Sequence, residues 1–485
     1  MRVLFGTDGI RGKAAQYPLD IPTMFALGEA LAHRLKRVGP APSPAAGGGG
    51  PTAAGGGGPT AAGGGGPTAV GGGGPTAVGG GGPTVLMGMD TRESGPDIAR
   101  ALSAGIAAGG GHGHLIGIIP TPGVAYLCRT SEAEAGISIS ASHNPYEDNG
   151  VKIFGHDGMK IPDADEEQIE DELRAIRRDD VSIPDMALSD DRELIEKYQQ
   201  FLVSGVAPKT LRDMRIVLDA GNGAAFRIGP EVFRRAGADV RVINDSPNGR
   251  NINENAGAMH PEGLARAVVE QKAHFGVAFD GDADRAIFAD DKGRIRDGDE
   301  IIYLWAQRLK RENKLSGACV VTTVMSNFGF ERQLQADGIE LGRAQVGDKY
   351  VLEMMLERGA TLGGEQSGHI IDLTVHTTGD GIHTALVFGE LLARVGRPFS
   401  ELHTFDPMPQ ILINQPVGSK PPLESLPKYH TALAAALQDL GDSGRVLVRY
   451  SGTENKVRVM VEGPDERQIK EIAERLREIL RQEIG

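Results

Sequence analysis

FGVAFDGDADRAIFA, residues 275–289, sets Asp280, Asp282 and Asp284 between two short apolar runs. In an extended segment alternate side chains share a face, so the three carboxylates point one way, with only Gly281 and Ala283 between them. Three anions on one face repel unless a cation sits among them, and hard oxygen ligands favour Mg2+ or Ca2+. An EF-hand loop also begins D-x-D-x-D, but it needs Gly where Arg285 stands, and helices flank it. Here the flanks FGVAF and AIFA read as strands, which also weighs against a merely solvated acidic turn.

The rest of the chain repeats that strand character. VLMGM at 85–89, HLIGII at 114–119, RIVLDA from 215, DVRVIN from 239 and ACVVTTV from 318 are short buried-strand patterns. Helical spacing fills 21–38, 97–108, 228–236, 261–272 and 299–313. Alternation of this kind predicts an α/β chain with mostly parallel sheets covered on both faces. The last 80 residues differ: RVLVRYSGTE and KVRVMVEG pair as strands before a charged helix at 464–483, a smaller α+β unit. An octad repeat, GGGGPTAA or GGGGPTAV, fills 47–78 and fades at 79–86. Four glycines per octad cannot bury enough apolar surface to offset their entropy, so a disordered surface insertion is expected. As a coil of about 40 residues its ends would lie roughly 35 Å apart.

A length of 485 residues implies about three or four domains. The net charge of −14 disfavours nucleic acid or membrane as the main partner, while leaving room for a basic pocket around a small phosphorylated ligand. Cys128 and Cys319 have no partner spacing, the N-terminus has no apolar leader, and no run of about 18 apolar residues occurs. A soluble cytoplasmic protein is the expectation.

Four further stretches carry chemistry. ISISASHNPYEDNG, 137–150, reads as a strand with its isoleucines on one face and serines on the other; Pro145 stops the ladder. Ser142 is then the last hydroxyl at the strand's carboxyl end, where parallel sheets bind ligands. It is open to three roles: nucleophile, metal ligand or turn residue. No His/Asp spacing supports a hydrolase triad, and a direct Ser142–His143 dyad is disfavoured because neighbours in an extended chain point apart. GGEQSGH, 363–369, offers Glu365, Ser367 and His369 at alternate positions, suited to a row of sugar hydroxyls, though a Gly-rich polar loop is often only a loop. RYSGTENKVR, 449–458, has an anion cradle's composition in Arg449, Ser451, Gly452 and Thr453, with Lys456 and Arg458 behind; by composition alone a hairpin turn with basic flanks fits better. GTDGIRG, 6–12, sets Arg11 between glycines, and Lys152 and Lys349 stand singly in VKIF and VGDKYV, where a lone lysine reads as surface.

Taken together and in this order, these motifs resemble the α-D-phosphohexomutase superfamily, and GTDGIRG with GEQSGH resembles its bacterial phosphoglucosamine mutase branch. The resemblance covers nearly the whole chain outside about 40–84. It implies three similar mixed α/β domains and a smaller α+β fourth domain around a central cleft. Their bounds would be 1–190 with a phosphoserine loop, 191–290 with a metal loop, 291–405 with a sugar loop and 406–485 with a phosphate loop. Ser142 would carry a phosphoryl group, and Asp280, Asp282 and Asp284 would hold one Mg2+ together with it. Arg285 would steady the phosphate, Glu365 and Ser367 the sugar hydroxyls. Arg449, Ser451, Gly452, Thr453 and Arg458 would grip the non-reacting phosphate, with Lys349 also on the substrate side. Arg11, His143, Lys152 and His369 would line the reacting end, Lys152 and His369 being candidates for acid/base work. The implied reaction interconverts glucosamine 6-phosphate and glucosamine 1-phosphate through a bisphosphate, with a hexose 1,6-bisphosphate as activator, upstream of UDP-N-acetylglucosamine and cell-wall synthesis. Alternatives are a phosphomannomutase/phosphoglucomutase of relaxed specificity and a non-catalytic sugar-phosphate-binding regulator; the oligomeric state stays open, a homodimer included. Two departures stand out: Met89 replaces a common Arg, and Asn455 a usual Pro, which would loosen the cradle's loop. Deleting 47–82 is expected to leave melting temperature and turnover nearly unchanged; a large loss in either would contradict a disordered insertion.

Overall fold

The computed structural model describes residues 4–6, 8–39, 81–185, 188–451 and 455–485. Most of the octad repeat therefore lies outside the described residues. Its end does not: Pro83 O accepts from His112 N at 2.8 Å, and the strand Thr84–Met89 begins at once. The insertion thus stops short of 84, and a deletion that spares the fold stops before Gly82, where a Cβ would fall 1.9 Å from Gly110 O.

Four sheets follow one another along the chain. The first has six strands, in the order Phe5–Gly6, Gly9–Lys13, Asp148–Gly155, Ala135–Ile139, Thr84–Met89, His112–Ile118. The second runs Ile295–Arg296, Ala286–Asp290, Phe275–Phe279, Arg215–Asp219, Asp239–Ile243, so it reaches past the boundary expected at 290. The third runs Glu340–Ala344, Cys319–Thr323, Leu362–Gly364, Ile370–Asp372. The fourth, Gln410–Pro416, Lys456–Glu462, Arg445–Tyr450, is antiparallel throughout, as the paired-strand reading requires.

The expectation of mostly parallel sheets is corrected. Each of the first three sheets has a parallel centre, but its last parallel strand turns straight back into an antiparallel neighbour. A tight hairpin needs no crossover helix, so helix–strand alternation cannot announce it. The helix at Ile21–Val38 agrees with its expected span; Asp20 caps it by accepting from Thr23 N at 2.8 Å, and Lys36 and Arg37 close its last turn.

Packing makes one body of the first three domains. A single apolar cluster passes from Leu86 and Ile116 through Tyr198 and Phe233 to Phe275, Phe288, Phe330 and Phe388. The helix Gly381–Val395 lies at its centre, belonging to the third domain by sequence yet packed on the second sheet. The C-terminal domain keeps its own core around Val459, Ile472 and Leu476. Its junction with the third domain is polar: Glu462 Oε1 accepts from Phe328 N at 3.1 Å, and Asn327 Nδ2 donates to Met408 O at 3.1 Å. Among the described residues, no helix is long and apolar enough to cross a membrane.

Candidate active site

The three antiparallel returns carry the three loops of interest: 140–147 between Ala135–Ile139 and Asp148–Gly155, 280–285 between Phe275–Phe279 and Ala286–Asp290, and 365–369 between Leu362–Gly364 and Ile370–Asp372. All three leave the carboxyl end of a parallel strand, where side chains are free to meet a ligand. They interlock across domain boundaries. Thr121 donates its backbone N–H to Asp282 O at 3.0 Å and its hydroxyl to Asp282 Oδ2 at 2.6 Å. Ala286 N donates to Gly368 O at 3.1 Å. A Cβ on Gly281 would fall 2.5 Å from Ser142 O, so the metal loop closes on the serine loop only because that residue is glycine.

Ser142 is buried, and its hydroxyl donates to Asp280 Oδ2 at 2.6 Å. Its φ of 52° is left-handed rather than extended. That overturns the argument against a neighbouring dyad: the turn brings Ser142 Oγ to 3.3 Å from His143 Nδ1. Arg285 Nη1 also approaches that nitrogen, at 3.4 Å, while its backbone N–H donates to Asp280 Oδ1 at 3.2 Å. Burial, then the charges of Arg285 and Arg11, push the His143 imidazole down to about 4, so it is neutral at pH 7.

The three aspartates do not sit in an extended segment. They occupy a turn in which Ala283 has φ 53°, and that curl gathers one carboxylate oxygen from each within 4.8 Å. All three are buried. Burial, then Asp284 and Asp282, raise Asp280 well above the carboxylate range. Burial would raise Asp284 as well, yet Lys152 and then His369 hold it well below that range. Lys152 Nζ lies 3.0 Å from Asp282 Oδ2 and 3.1 Å from Asp284 Oδ2. Burial opposes its charge, but Asp282, Asp284 and Asp8 keep it firmly an ammonium. Asp282 Oδ1 and Asp284 Oδ1 are buried without a hydrogen-bond partner among the described residues. Orphaned hard oxygens on a converging triad fit a divalent cation such as Mg2+.

The remaining expected residues fall into three groups. His369 lies with the metal loop: its Nδ1 is 3.6 Å from Asp284 Oδ1, and its Nε2 accepts from Gly379 N at 3.1 Å. Arg11 pairs with Asp8, which itself lies 3.4 Å from Lys152. Glu365 accepts from Ser367 Oγ at 3.0 Å and from Gly347 N at 3.2 Å. Lys349 differs, for its ammonium pairs with Asp163 of the first domain. Arg449 and Arg458 stand directly opposite on paired strands, and Ser451 N donates to Lys456 O at 2.8 Å. Gly452 and Thr453 lie outside the described residues.

Two residues that sequence reasoning passed over hold the serine loop. Arg92 is fully buried against Asp90, its Nε 2.9 Å from Asp90 Oδ2. Its guanidinium donates to Ser142 O at 2.9 Å, Asn144 O at 2.8 Å, Asp148 O at 3.0 Å and also Pro145 O. From the second domain, Asn253 Nδ2 donates to Ser142 O at 2.9 Å. The available signal was the acid and base two apart in GMDTRESG, directly after a strand. Arg92→Leu should cost roughly 3–5 kcal/mol in urea unfolding, since it strands a buried carboxylate and several carbonyls. A loss under about 1 kcal/mol would show that the loop holds itself.

Models of the phosphoglucomutase/phosphomannomutase family match four successive parts of the chain: alpha/beta/alpha domain I at 74–180, domain II at 195–293, domain III at 297–407 and the C-terminal domain at 412–479. The phosphoglucosamine mutase of Solibacter usitatus is 44% identical over 99% of both chains. That of an Anaeromyxobacter species is 42% identical over 100% of this chain and 96% of its own. A phosphoglucomutase/phosphomannomutase family protein from Burkholderia thailandensis has the same fold, with a TM-score of 0.76 at 22% identity over 99% of this chain and 98% of that one. The N-acetylphosphoglucosamine mutase of Aspergillus fumigatus, solved with GlcNAc-6P and magnesium, has a TM-score of 0.59 at 19% identity over 75% of this chain and 93% of that one. With its full length matched at such identity, the chain belongs to the phosphoglucomutase/phosphomannomutase family, the α-D-phosphohexomutases, among relatives that are phosphoglucosamine mutases.

Proposed function

We propose that this chain interconverts glucosamine 6-phosphate and glucosamine 1-phosphate, with Ser142 as the phosphoryl carrier. The observation that carries the reading is the Ser142 hydroxyl, buried 2.6 Å from Asp280 beside a carboxylate triad with unsatisfied oxygens. Asp280, Asp282 and Asp284, with the Ser142 oxygen, would hold Mg2+, whose chemistry here is to neutralise charge on the transferring phosphoryl group.

In the first half-reaction the sugar O1 attacks the phosphorus on Ser142, the P–Oγ bond breaks, and a sugar 1,6-bisphosphate forms. The bisphosphate turns over in the cleft. Ser142 Oγ then attacks the 6-phosphate, O6 leaves and takes up a proton, and glucosamine 1-phosphate departs. Lys152 and Arg285 act as fixed positive charges beside the phosphoryl oxygens. The proton that O1 gives up as it attacks, and that O6 later takes, passes through a group at the reacting end, with Lys152 and His369 as the candidates. Glu365 and Ser367 orient the sugar hydroxyls. Arg449, Ser451 and Arg458, with Gly452 and Thr453, hold the phosphate that is not reacting, guanidinium groups and hydroxyls being suited to an anion. The two cysteines are buried and unpaired, in keeping with a reducing, cytoplasmic location.

With Mg2+ and a hexose 1,6-bisphosphate present, Ser142→Ala should abolish turnover of glucosamine 6-phosphate; normal activity in that variant overturns the phosphoserine mechanism. In a coupled assay the wild type should prefer glucosamine over glucose and mannose 6-phosphates. Equal rates would make it a mutase of relaxed specificity instead.

A further inference from the structure

Asp8 and Asp348 belong to different domains, the first beside the strand Gly9–Lys13 and the second opening the helix Asp348–Arg358. Lys160 joins them, its ammonium hydrogen-bonded to Asp8 and 2.6 Å from Asp348 Oδ2. Its backbone is fixed by a bridge to Phe154 at the end of the first sheet. The same hairpin is tied to the third domain, where Thr377 Oγ1 donates to Gly158 O at 2.6 Å. A little further on the charges cross over: Lys349 of the third domain pairs with Asp163 of the first. The Lys160 side chain is 19% exposed, so water and salt screen it far less than an ordinary surface pair. Burial works against its charge, and Asp348 followed by Asp8 keeps it protonated.

Both ends of this link lead into the site. Asp8 pairs with Arg11 and lies 3.4 Å from Lys152, the cation of the metal loop. Asp348 follows Gly347, whose N–H donates to Glu365 Oε1 at 3.2 Å from a φ of 134° that favours glycine. A cation that fixes Asp348 therefore fixes the turn that aims Glu365.

We infer that Lys160 is a positioning residue, a strut between the first and third domains that holds the Glu365 loop at its working distance from Ser142. Its link to turnover rests on the mutase reading above; its effect on the loop does not. Orientation of this kind matters because a misplacement of about 1 Å can cost roughly a hundredfold in rate.

Lys160→Met takes from Asp348 the cation it shares with Asp8, which keeps Arg11 and Lys152, and leaves the two carboxylates facing each other. The melting temperature should fall, since a partly buried pair loses its cation, and kcat/KM for glucosamine 6-phosphate should fall by roughly tenfold to a hundredfold. Amide exchange across 345–369 should quicken. Lys160→Arg should keep most of the activity, and adding Asp348→Asn to Lys160→Met should recover part of it, because one of the repelling charges is gone. Unchanged exchange at 345–369 in Lys160→Met, or a deeper loss in the double variant, overturns the strut and leaves the mutase reading intact. If Lys160→Met folds poorly, the charge-balanced double variant carries both readouts, and wild-type exchange and activity in it overturn the strut. Failure of the wild type on every hexose phosphate overturns the mutase reading, while the exchange measurement still decides the strut.

Discussion

Three buried aspartates on one short turn repel one another, and much of the surrounding structure answers that repulsion. The groups set against them come from different places: the Lys152 ammonium from the first domain, the Arg285 guanidinium from the turn's own end, and the His369 ring from the third domain. Even so, two carboxylate oxygens stay unsatisfied among the described residues. Burying carboxylates is costly unless they are paired, so the docking of the first three domains and the electrostatics of the site are one problem. The shared apolar core that spans those domains keeps the opposed charges in register.

The same construction is used three times. A parallel strand runs to the cleft, a short loop presents its polar residues, and an antiparallel strand leads the chain away. Pinning both ends of a loop by ladder hydrogen bonds limits its conformations, which suits a site whose polar groups must keep a fixed geometry. The fourth element, with Arg449 and Arg458, sits on a domain with its own core and a polar junction. Ser142, the three aspartates and the Glu365 loop thus stand on domains that share one apolar core, while the arginine pair stands on a domain with its own.

Much of this was legible in the sequence. The spacing of Asp280, Asp282 and Asp284 pointed to a carboxylate cluster fit for a cation, and Ser142 stood out before Pro145, although its strand ends earlier, at Ile139, and Ser142 lies in the loop beyond it. What failed was the assumption of extended backbone at both loops. Left-handed residues at Ser142 and Ala283 curl the chain, and neither is the glycine that would signal such a turn. The helix Gly381–Val395 gave little periodic signal because nearly every face of it is buried. Arg92 escaped because a buried arginine works through backbone carbonyls, and nothing in the sequence reports which carbonyls will surround it. The strut at Lys160 depends on Asp8 and Asp348, which lie far from it along the chain and meet it only when the domains dock.

The central claim is that Ser142 carries the phosphoryl group. Its most direct test is peptide mass analysis of the enzyme after incubation with a hexose 1,6-bisphosphate and Mg2+. The account predicts one phosphoryl group, located on Ser142, that appears with the bisphosphate and is passed on when excess sugar monophosphate is added. An enzyme that turns over sugar phosphate while Ser142 remains unmodified throughout would contradict it.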